Sequence, residues 1–210
     1  MKKAILVLNG VSLNKSEIEY ISSQQNQGVF LMCADGGYAH IKGVLKPDVV
    51  IGDFDSYSLS DVENGIKTIV YQVEKDFTDG HICIETLVEE GYQNIEIFGA
   101  TGGERSDHFL SNFSLLALAN KNGASAVIKD SYFDIYFFDK PFDLNVKKEK
   151  TFSVVPFTDT AHIISSTGLK YAINDIMLNK LHMLAISNST IDTKVSVELL
   201  SGGVLVFVQK

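Results

Sequence analysis

Several residue types are scarce in this chain, and each scarcity excludes a class of protein. The 210 residues include two cysteines, three prolines and no tryptophan. Cys33 and Cys83 are too few for a disulfide framework and are not spaced as metal ligands, so we expect reduced thiols and a cytoplasmic protein. With 45% hydrophobic residues and so little proline, the composition excludes a disordered or collagen-like chain.

Long apolar runs and clustered basic residues are also missing. No run approaches the roughly 20 apolar residues that cross a bilayer, and the first run, residues 4–8, is too short for a secretory signal. We therefore expect no membrane segment and no cleaved leader. Lys and Arg number 18 against 26 Asp and Glu, which gives a formal net charge of −8 at pH 7. Without a basic stripe, this charge argues against a general nucleic-acid binder.

The first part of the chain alternates short apolar runs with stretches of helical spacing. Strands are predicted over residues 4–8, 29–33, 49–51, 66–71, 95–98 and 126–128, and helices over 15–25, 79–90 and 106–121. Most of these strands are apolar throughout, which is typical of strands that are covered on both faces. The sequence therefore predicts an N-terminal parallel α/β (Rossmann-like) layer over residues 1–131.

The second part of the chain has a different pattern. Short β-rich runs are separated by turn residues, and no long helix is predicted. The runs cover residues 136–138, 151–155, 162–165, 184–186, 195–199 and 204–208. This pattern predicts a smaller all-β sandwich domain over residues 132–210 and places the whole chain in the α/β class.

Acidic residues follow three successive predicted strands. Asp35 follows the second strand, Asp53 and Asp55 follow the third, and Asp79 lies beyond the fourth. Ligands of open α/β sheets bind beyond the carboxyl ends of the strands, so these residues are expected at one rim. If residues 53–55 are extended, both carboxylates lie on one face and need a cation between them, for which Mg²⁺ is suited. The simpler alternative is that Asp53 caps a turn and Asp55 is solvated.

Cationic, hydroxyl-bearing and small residues accompany these carboxylates. Lys75 and Thr78 precede the last of them, and the loop after the fifth strand contains Thr101, Gly102 and then Arg105. A loop of small residues lets backbone N–H groups approach phosphate, and an arginine adds a planar fork. The loop matches neither the dinucleotide-binding nor the P-loop pattern, so by itself it indicates phosphate only weakly.

These motifs, in this order, resemble those of the thiamine pyrophosphokinase family. The resemblance covers nearly the whole chain. It rests on Ala34-Asp35-Gly36-Gly37, Gly52-Asp53-Phe54-Asp55-Ser56, Lys75-Asp76-Phe77-Thr78-Asp79, residues 99–112, Thr167-Gly168-Leu169-Lys170-Tyr171 and Ile186-Ser187-Asn188.

The resemblance implies transfer of pyrophosphate from Mg-ATP to the hydroxyl of thiamine, giving thiamine diphosphate and AMP. It implies a nucleotide-binding catalytic domain over residues 1–131 and a thiamine-binding domain over 132–210. It also implies a homodimer whose sites lie between the α/β domain of one subunit and the β domain of the other. The residues implied for catalysis are Asp53, Asp55, Asp79 and Asp107, and the first three of these would also bind Mg²⁺. Those implied for the nucleotide are Asp35, Lys75, Thr78, Thr101, Gly102 and Arg105. Those implied for thiamine are Ser187 and Asn188.

Two alternatives stay open. The chain could be a pyrophosphokinase for another acceptor, such as a hydroxymethylpterin, or a catalytically silent ligand-binding or regulatory homologue. The complete acidic set argues against a silent homologue. The chain departs from the pattern of the family that it resembles at Phe77, where lysine is common, and at Glu104, which separates the glycines from Arg105. With no tryptophan, an aromatic contact to thiamine would come from Tyr or Phe, for example Tyr171.

Overall fold

The chain divides between Ser131 and Tyr132. In this computed structural model, which describes residues 2–54, 58–71 and 77–210, Met1–Ser131 form one unit and Tyr132–Lys210 form the other. Among the helices of the described residues, none is long and apolar enough to span a membrane.

The apolar runs of the first unit form a parallel sheet. Its strands are β1 (Lys2–Val7), β2 (Phe30–Ala34), β3 (Val49–Gly52), β4 (Lys67–Val70), β5 (Tyr92–Phe98) and β6 (Ser125–Lys129). They lie in the order β6-β5-β1-β2-β3-β4, and every neighbouring pair is parallel. The strand order reverses between β1 and β5, so the loops that follow these two strands lead to opposite faces of the sheet. In sheets of this kind a ligand crevice opens at that point.

Helices cover both faces of this sheet, as the continuous apolar runs predict. They are α1 (Lys15–Gln25), α2 (Asp79–Glu89), α3 (Ser106–Asn112) and α4 (Ser114–Lys121), with 3-10 helices at Asp35–His40 and Leu59–Asp61. Ile5 and Val7 pack with Ile21 of α1, while Leu6 between them is also fully buried. Cys33 and Cys83 are buried as well, and burial raises the pKa of the Cys33 thiol well above its usual range.

Two of the three predicted helices form as single helices, and the third does not. Asn14 caps the N-terminus of α1: its side chain accepts from the backbone N–H of Glu17 in a capping box. The single helix predicted over residues 106–121 is wrong, because it is divided into α3 and α4 at Phe113. The Asn112 side chain donates to the carbonyl of Ala100 at 2.8 Å. The Leu116 N–H donates to Phe113, only three residues back, so the α-helical ladder is interrupted.

The second unit consists of two antiparallel sheets. Its strands are β7 (Phe133–Phe138), β8 (Phe142–Asn145), β9 (Thr151–Pro156), β10 (Thr160–Thr167), β11 (Ile176–Asn179), β12 (Asn188–Ser189), β13 (Lys194–Ser201) and β14 (Val204–Gln209). The sheets have the orders β12-β9-β14-β7 and β11-β10-β13-β8. One apolar core joins them, with Phe152 and Val206 from the first sheet and Ile163 and Val197 from the second. The predicted fold class, an α/β layer followed by a β-sandwich, is confirmed.

The strand predicted over residues 184–186 is wrong. The chain turns at Leu184 and Ala185, and only Ala185 is buried. Strands β8, β11 and β12, of four, four and two residues, were missed.

Candidate active site

Three carboxylates meet at the carboxyl edge of the parallel sheet. Asp35 directly follows β2, Asp53 directly follows β3, and Asp79 is the first residue of α2. One carboxylate oxygen from each lies within 4.8 Å of the other two. Asp35 is only 6% exposed, and the other two are half-buried. Like charges this close repel one another, so the acidic cluster, Asp35, Asp53 and Asp79, favours a cation among its oxygens.

The backbone at this cluster is unusual. Asp35 has φ 39° and Phe54 has φ 58°, in the left-handed region that residues other than glycine seldom occupy. The extended conformation on which the pairing of Asp53 with Asp55 depends is not present at Phe54, whose backbone is left-handed. The Phe54 ring packs against the core. Asp55 and Lys75 lie outside the described residues, so their predicted roles stay predictions.

Gly52 allows two of the acidic loops to approach each other. A Cβ atom at this position would lie 2.8 Å from the Cβ atom of Asp35, closer than real Cβ contacts. Gly52→Ala is therefore expected to displace Asp35 and to weaken binding of Mn²⁺, a probe for Mg²⁺, by at least about tenfold. The measurement is an isothermal titration of the purified variant.

Gly43→Ala is the matched control for this substitution. It also places alanine at a glycine of the first unit, but apart from the adjacent residues of the chain no described atom lies within 4 Å of its new Cβ. Its positive φ of 74° predicts some loss of stability with Mn²⁺ binding retained. Equal Mn²⁺ affinity in Gly52→Ala and the wild type would show that metal binding does not depend on the close approach of Gly52 to Asp35.

The loops that follow β1 and β5 are joined by backbone hydrogen bonds at the carboxyl edge of the sheet, the edge at which the acidic cluster lies. The Gly10 N–H donates to the carbonyl of Gly99 at 2.7 Å, and the Val11 N–H donates to Thr101 at 2.9 Å. A Cβ atom at Gly10 would lie 2.3 Å from the Gly99 carbonyl oxygen. Sequence analysis missed the loop after β1, although the turn pair Asn9-Gly10 directly after the first predicted strand was a usable signal.

The N-terminus of α2 has a cap and an aromatic neighbour. The Thr78 hydroxyl accepts from the backbone N–H of His81 at 3.3 Å and so caps the helix. The ring of Phe77 stacks on that of His81 with centroids 4.4 Å apart. Asp79 in the first turn interacts favourably with the helix dipole.

Arg105 and Asp107 are paired at the start of α3. The Arg105 Nε donates to Oδ1 of Asp107 at 2.9 Å, and its Nη2 donates to Oδ2 at 2.6 Å. These hydrogen bonds hold the pKa of Asp107 well below its usual range. Thr101 and Gly102 lie in the loop just before this pair, and Gly102 has φ 62°.

The chain matches the family models of two known protein domains. Residues 21–128 match "Thiamin pyrophosphokinase, catalytic domain", and residues 141–204 match "Thiamin pyrophosphokinase, vitamin B1 binding domain". The chain belongs to the thiamine pyrophosphokinase family. The predicted family is thus confirmed, and with it the prediction of an enzyme, a thiamine diphosphokinase.

Individual relatives agree with this assignment. The chain is 32% identical over 157 residues to the thiamine pyrophosphokinase of Bacillus subtilis (strain 168), which covers 71% of this chain and 72% of the relative. It is 28% identical over 184 residues to thiamin pyrophosphokinase 1 of Caenorhabditis elegans, with coverage of 81% and 75%. Nothing in these matches favours either alternative function.

Solved structures of the family share the fold. The crystal structure of thiamine pyrophosphokinase from Bacillus subtilis has a TM-score of 0.83 and 26% identity and covers 100% of this chain and 99% of its own. Thiamin pyrophosphokinase from Candida albicans has a TM-score of 0.81 at 18% identity and covers 99% and 88%, which shows likeness of fold alone.

The two residues expected to bind thiamine, Ser187 and Asn188, have different environments. Asn188 is buried, and its side chain holds the backbone of Tyr171: Oδ1 accepts from the Tyr171 N–H at 3.0 Å, and Nδ2 donates to the Tyr171 carbonyl at 2.6 Å. The same Oδ1 also accepts from the Ser189 N–H at 2.9 Å. Ser187 is exposed with φ 59°, and Tyr171 is 63% exposed. Ser187 and Tyr171 are therefore available to a ligand, while Asn188 fixes the loop that carries Tyr171.

Asn188→Ala is expected to lower the free energy of unfolding by about 1–3 kcal/mol, because it removes the hydrogen bonds that this buried side chain makes to the backbone of Tyr171. Asn188→Asp should be at least as damaging, since a carboxylate cannot donate to the Tyr171 carbonyl. Urea unfolding measures both variants. Thr193→Ala, at an exposed position of the same unit, is the control and should change stability by less than about 0.5 kcal/mol. Unchanged stability in Asn188→Ala would contradict the holding role.

Proposed function

We propose that this chain transfers the pyrophosphoryl group of ATP to the hydroxyl of thiamine, giving thiamine diphosphate and AMP. The observation that carries the proposal is the acidic cluster at the end of the parallel sheet, in a chain that matches both domains of the family. Such a transfer needs mainly positioning and neutralisation of phosphate charge, and side chains of this site can contribute to both.

The residues of the acidic cluster fit Mg²⁺ as the required metal ion. Three carboxylate oxygens within 4.8 Å of one another form the hard, anionic donor set that this ion prefers. Asp35, Asp53 and Asp79 would hold the ion, with Asp55 as a further predicted ligand. When bound, Mg²⁺ supplies positive charge to the phosphate oxygens and reduces their repulsion from the nucleophile.

The chain's own cationic and backbone groups complete the nucleotide site in this proposal. Arg105 and Lys75 bind the phosphates, while the backbone around Thr101 and Gly102 approaches them. The thiamine hydroxyl oxygen forms a bond to the β-phosphorus of ATP, and the bond from that phosphorus to the oxygen bridging to the α-phosphorus breaks. AMP leaves with the bridging oxygen, and the hydroxyl proton is released. The net charge of −8 favours the approach of thiamine, a cation.

We further propose that the active unit is a homodimer in which the β-sandwich of one subunit supplies the thiamine contacts, through Ser187 and Tyr171. The support is an apolar segment of the second unit, residues 181–186, in which Leu181 is 89% exposed and Leu184 is 70% exposed. Large apolar side chains gathered on one exposed segment are typical of an interaction surface. We also propose a cytoplasmic location, on the grounds of the two buried cysteines.

The decisive experiment incubates the purified protein with thiamine, ATP and Mg²⁺ and separates the products by liquid chromatography. AMP and thiamine diphosphate in equal amounts are expected, with no reaction when EDTA removes the metal. ADP with thiamine monophosphate would contradict pyrophosphoryl transfer. Turnover with a hydroxymethylpterin in place of thiamine would support the alternative acceptor, and binding of both substrates without products would support a silent homologue.

A further inference from the structure

Arg105 and Asp107 form a two-point ion pair at the edge of the proposed nucleotide site. Arg105 precedes α3 with φ −104° and ψ 88°, and Asp107 is the second residue of that helix. Both oxygens of the carboxylate accept hydrogen bonds from two different nitrogens of the guanidinium, at 2.9 and 2.6 Å. A pairing of this kind fixes the plane of the guanidinium as well as its position.

This pair has little to contribute to folding. The two side chains are 65% and 66% exposed, and ion pairs in water add little to stability. Its two-point geometry nevertheless fixes the orientation of the guanidinium relative to the carboxylate, which a single contact does not. The pair therefore contributes more to the orientation of Arg105 than to the stability of the fold.

The charge state of Asp107 argues against a direct role in proton transfer. A general base works best when its pKa lies near the operating pH. Hydrogen bonds from Arg105 hold the pKa of Asp107 well below its usual range, so its carboxylate stays ionised and is a weak base. Asp107 was expected to be catalytic on the basis of the resemblance, and this pairing indicates a different use.

We propose that Asp107 is a positioning residue, which orients the guanidinium of Arg105 toward the polyphosphate of the nucleotide and does not itself touch the reacting atoms. A guanidinium carries five N–H groups, and the pair with Asp107 engages two of its nitrogens on one edge. The shape of the group allows it to hold a carboxylate on one edge and a phosphate on another. This inference rests on the proposed function, which makes Arg105 a phosphate ligand.

A double-mutant cycle tests the inference by binding and by kinetics. The variants are Arg105→Ala, Asp107→Ala and the combination of both. The first readout is the Kd of α,β-methylene-ATP with Mg²⁺, measured by titration calorimetry without thiamine. This analogue has an unreactive link in place of the bond that the reaction breaks.

Each single variant is expected to weaken binding of the analogue by about five- to tenfold, and the double variant by no more than Arg105→Ala alone. In the kinetics, Asp107→Ala should raise KM for ATP more than it lowers kcat. Asp107→Asn should fall between the wild type and Asp107→Ala, because its amide oxygen accepts from only one side of the fork. Glu19→Ala, which removes the exposed partner of Lys15 in the same unit, is the control and should leave the Kd unchanged.

Two outcomes would overturn the proposal. A further tenfold loss of kcat on adding Asp107→Ala to Arg105→Ala would show that Asp107 acts on the reacting atoms directly. Unchanged analogue affinity in Asp107→Ala, with weakened affinity in Arg105→Ala, would show that the pair is only a surface contact. Because the analogue is bound without reaction, the cycle gives its answer even if the protein forms no thiamine diphosphate, and the two failures are distinguishable.

Discussion

Replacing Asp79 with asparagine is expected to lower the turnover number by at least about 10²-fold while leaving the fold intact. Asparagine keeps the size of the side chain and removes its charge from a set of three carboxylates whose oxygens lie within 4.8 Å of one another. The remaining two charges would hold Mg²⁺ weakly and out of place. The measurement is kcat with saturating ATP and thiamine over a range of Mg²⁺ concentrations.

A second readout separates loss of metal binding from loss of chemistry. Ligand binding to the folded state raises its stability, so Mg²⁺ should raise the melting temperature of the wild type and much less that of Asp79→Asn. Glu89→Gln removes a charge from the exposed far end of the same helix, and it should behave as the wild type in both measurements. Near-normal turnover of Asp79→Asn at saturating Mg²⁺ would reject Asp79 as a ligand.

Asp53 and Asp55 should repeat the behaviour of Asp79 if they share its ion. Asp53→Asn tests a residue that lies in the acidic cluster. Asp55→Asn tests the prediction that lies outside the described residues. If Asp55→Asn keeps normal activity while Asp53→Asn loses it, Asp55 is not a ligand of this ion.

The strand pattern was predictable from the sequence because burial on both faces produces continuous apolar runs. All six strands of the parallel sheet were predicted, and differ from the observed bounds by a few residues. The division of residues 106–121 into two helices was not predictable, because it depends on the bond from Asn112 to the carbonyl of Ala100 in a separate loop. The apolar run over residues 184–186 was misleading because Leu184 and Ile186 are exposed and only Ala185 is packed in the core.

The convergence of the acidic residues was predictable for a topological reason. Parallel strands end at one edge of their sheet, so residues that follow them come together whatever the detail of the loops. The detail itself was not predictable: Phe54 adopts a left-handed conformation, and Asn188 holds the backbone of Tyr171. The two hydrogen bonds between Arg105 and Asp107 likewise depend on side-chain geometry, which a spacing of two residues in the sequence does not specify.

Mixing two inactive variants should restore activity if the proposed homodimer shares its sites between subunits. One chain carries Asp79→Asn, which damages the metal site. The other carries Ser187→Ala and Asn188→Ala, which damage the thiamine contacts and the loop that holds Tyr171. In a shared-site heterodimer, one site combines both damaged halves, and the other combines both intact halves. Random exchange makes half of the dimers heterodimers, so about one quarter of wild-type specific activity is expected.

The controls for this experiment follow from the structure. Each variant is taken alone through the same mixing procedure and should stay inactive, and mass spectrometry of differently tagged chains measures the heterodimer fraction. The second chain is assayed at a temperature where circular dichroism shows it folded, because Asn188→Ala removes hydrogen bonds of a buried side chain. An acceptor oxygen must come within about 3–3.5 Å of the phosphorus that it attacks, so recovery requires the two intact halves to meet closely. Demonstrated heterodimers without recovery, or full activity in a proven monomer, would reject the shared site and leave the role of the acidic cluster untouched.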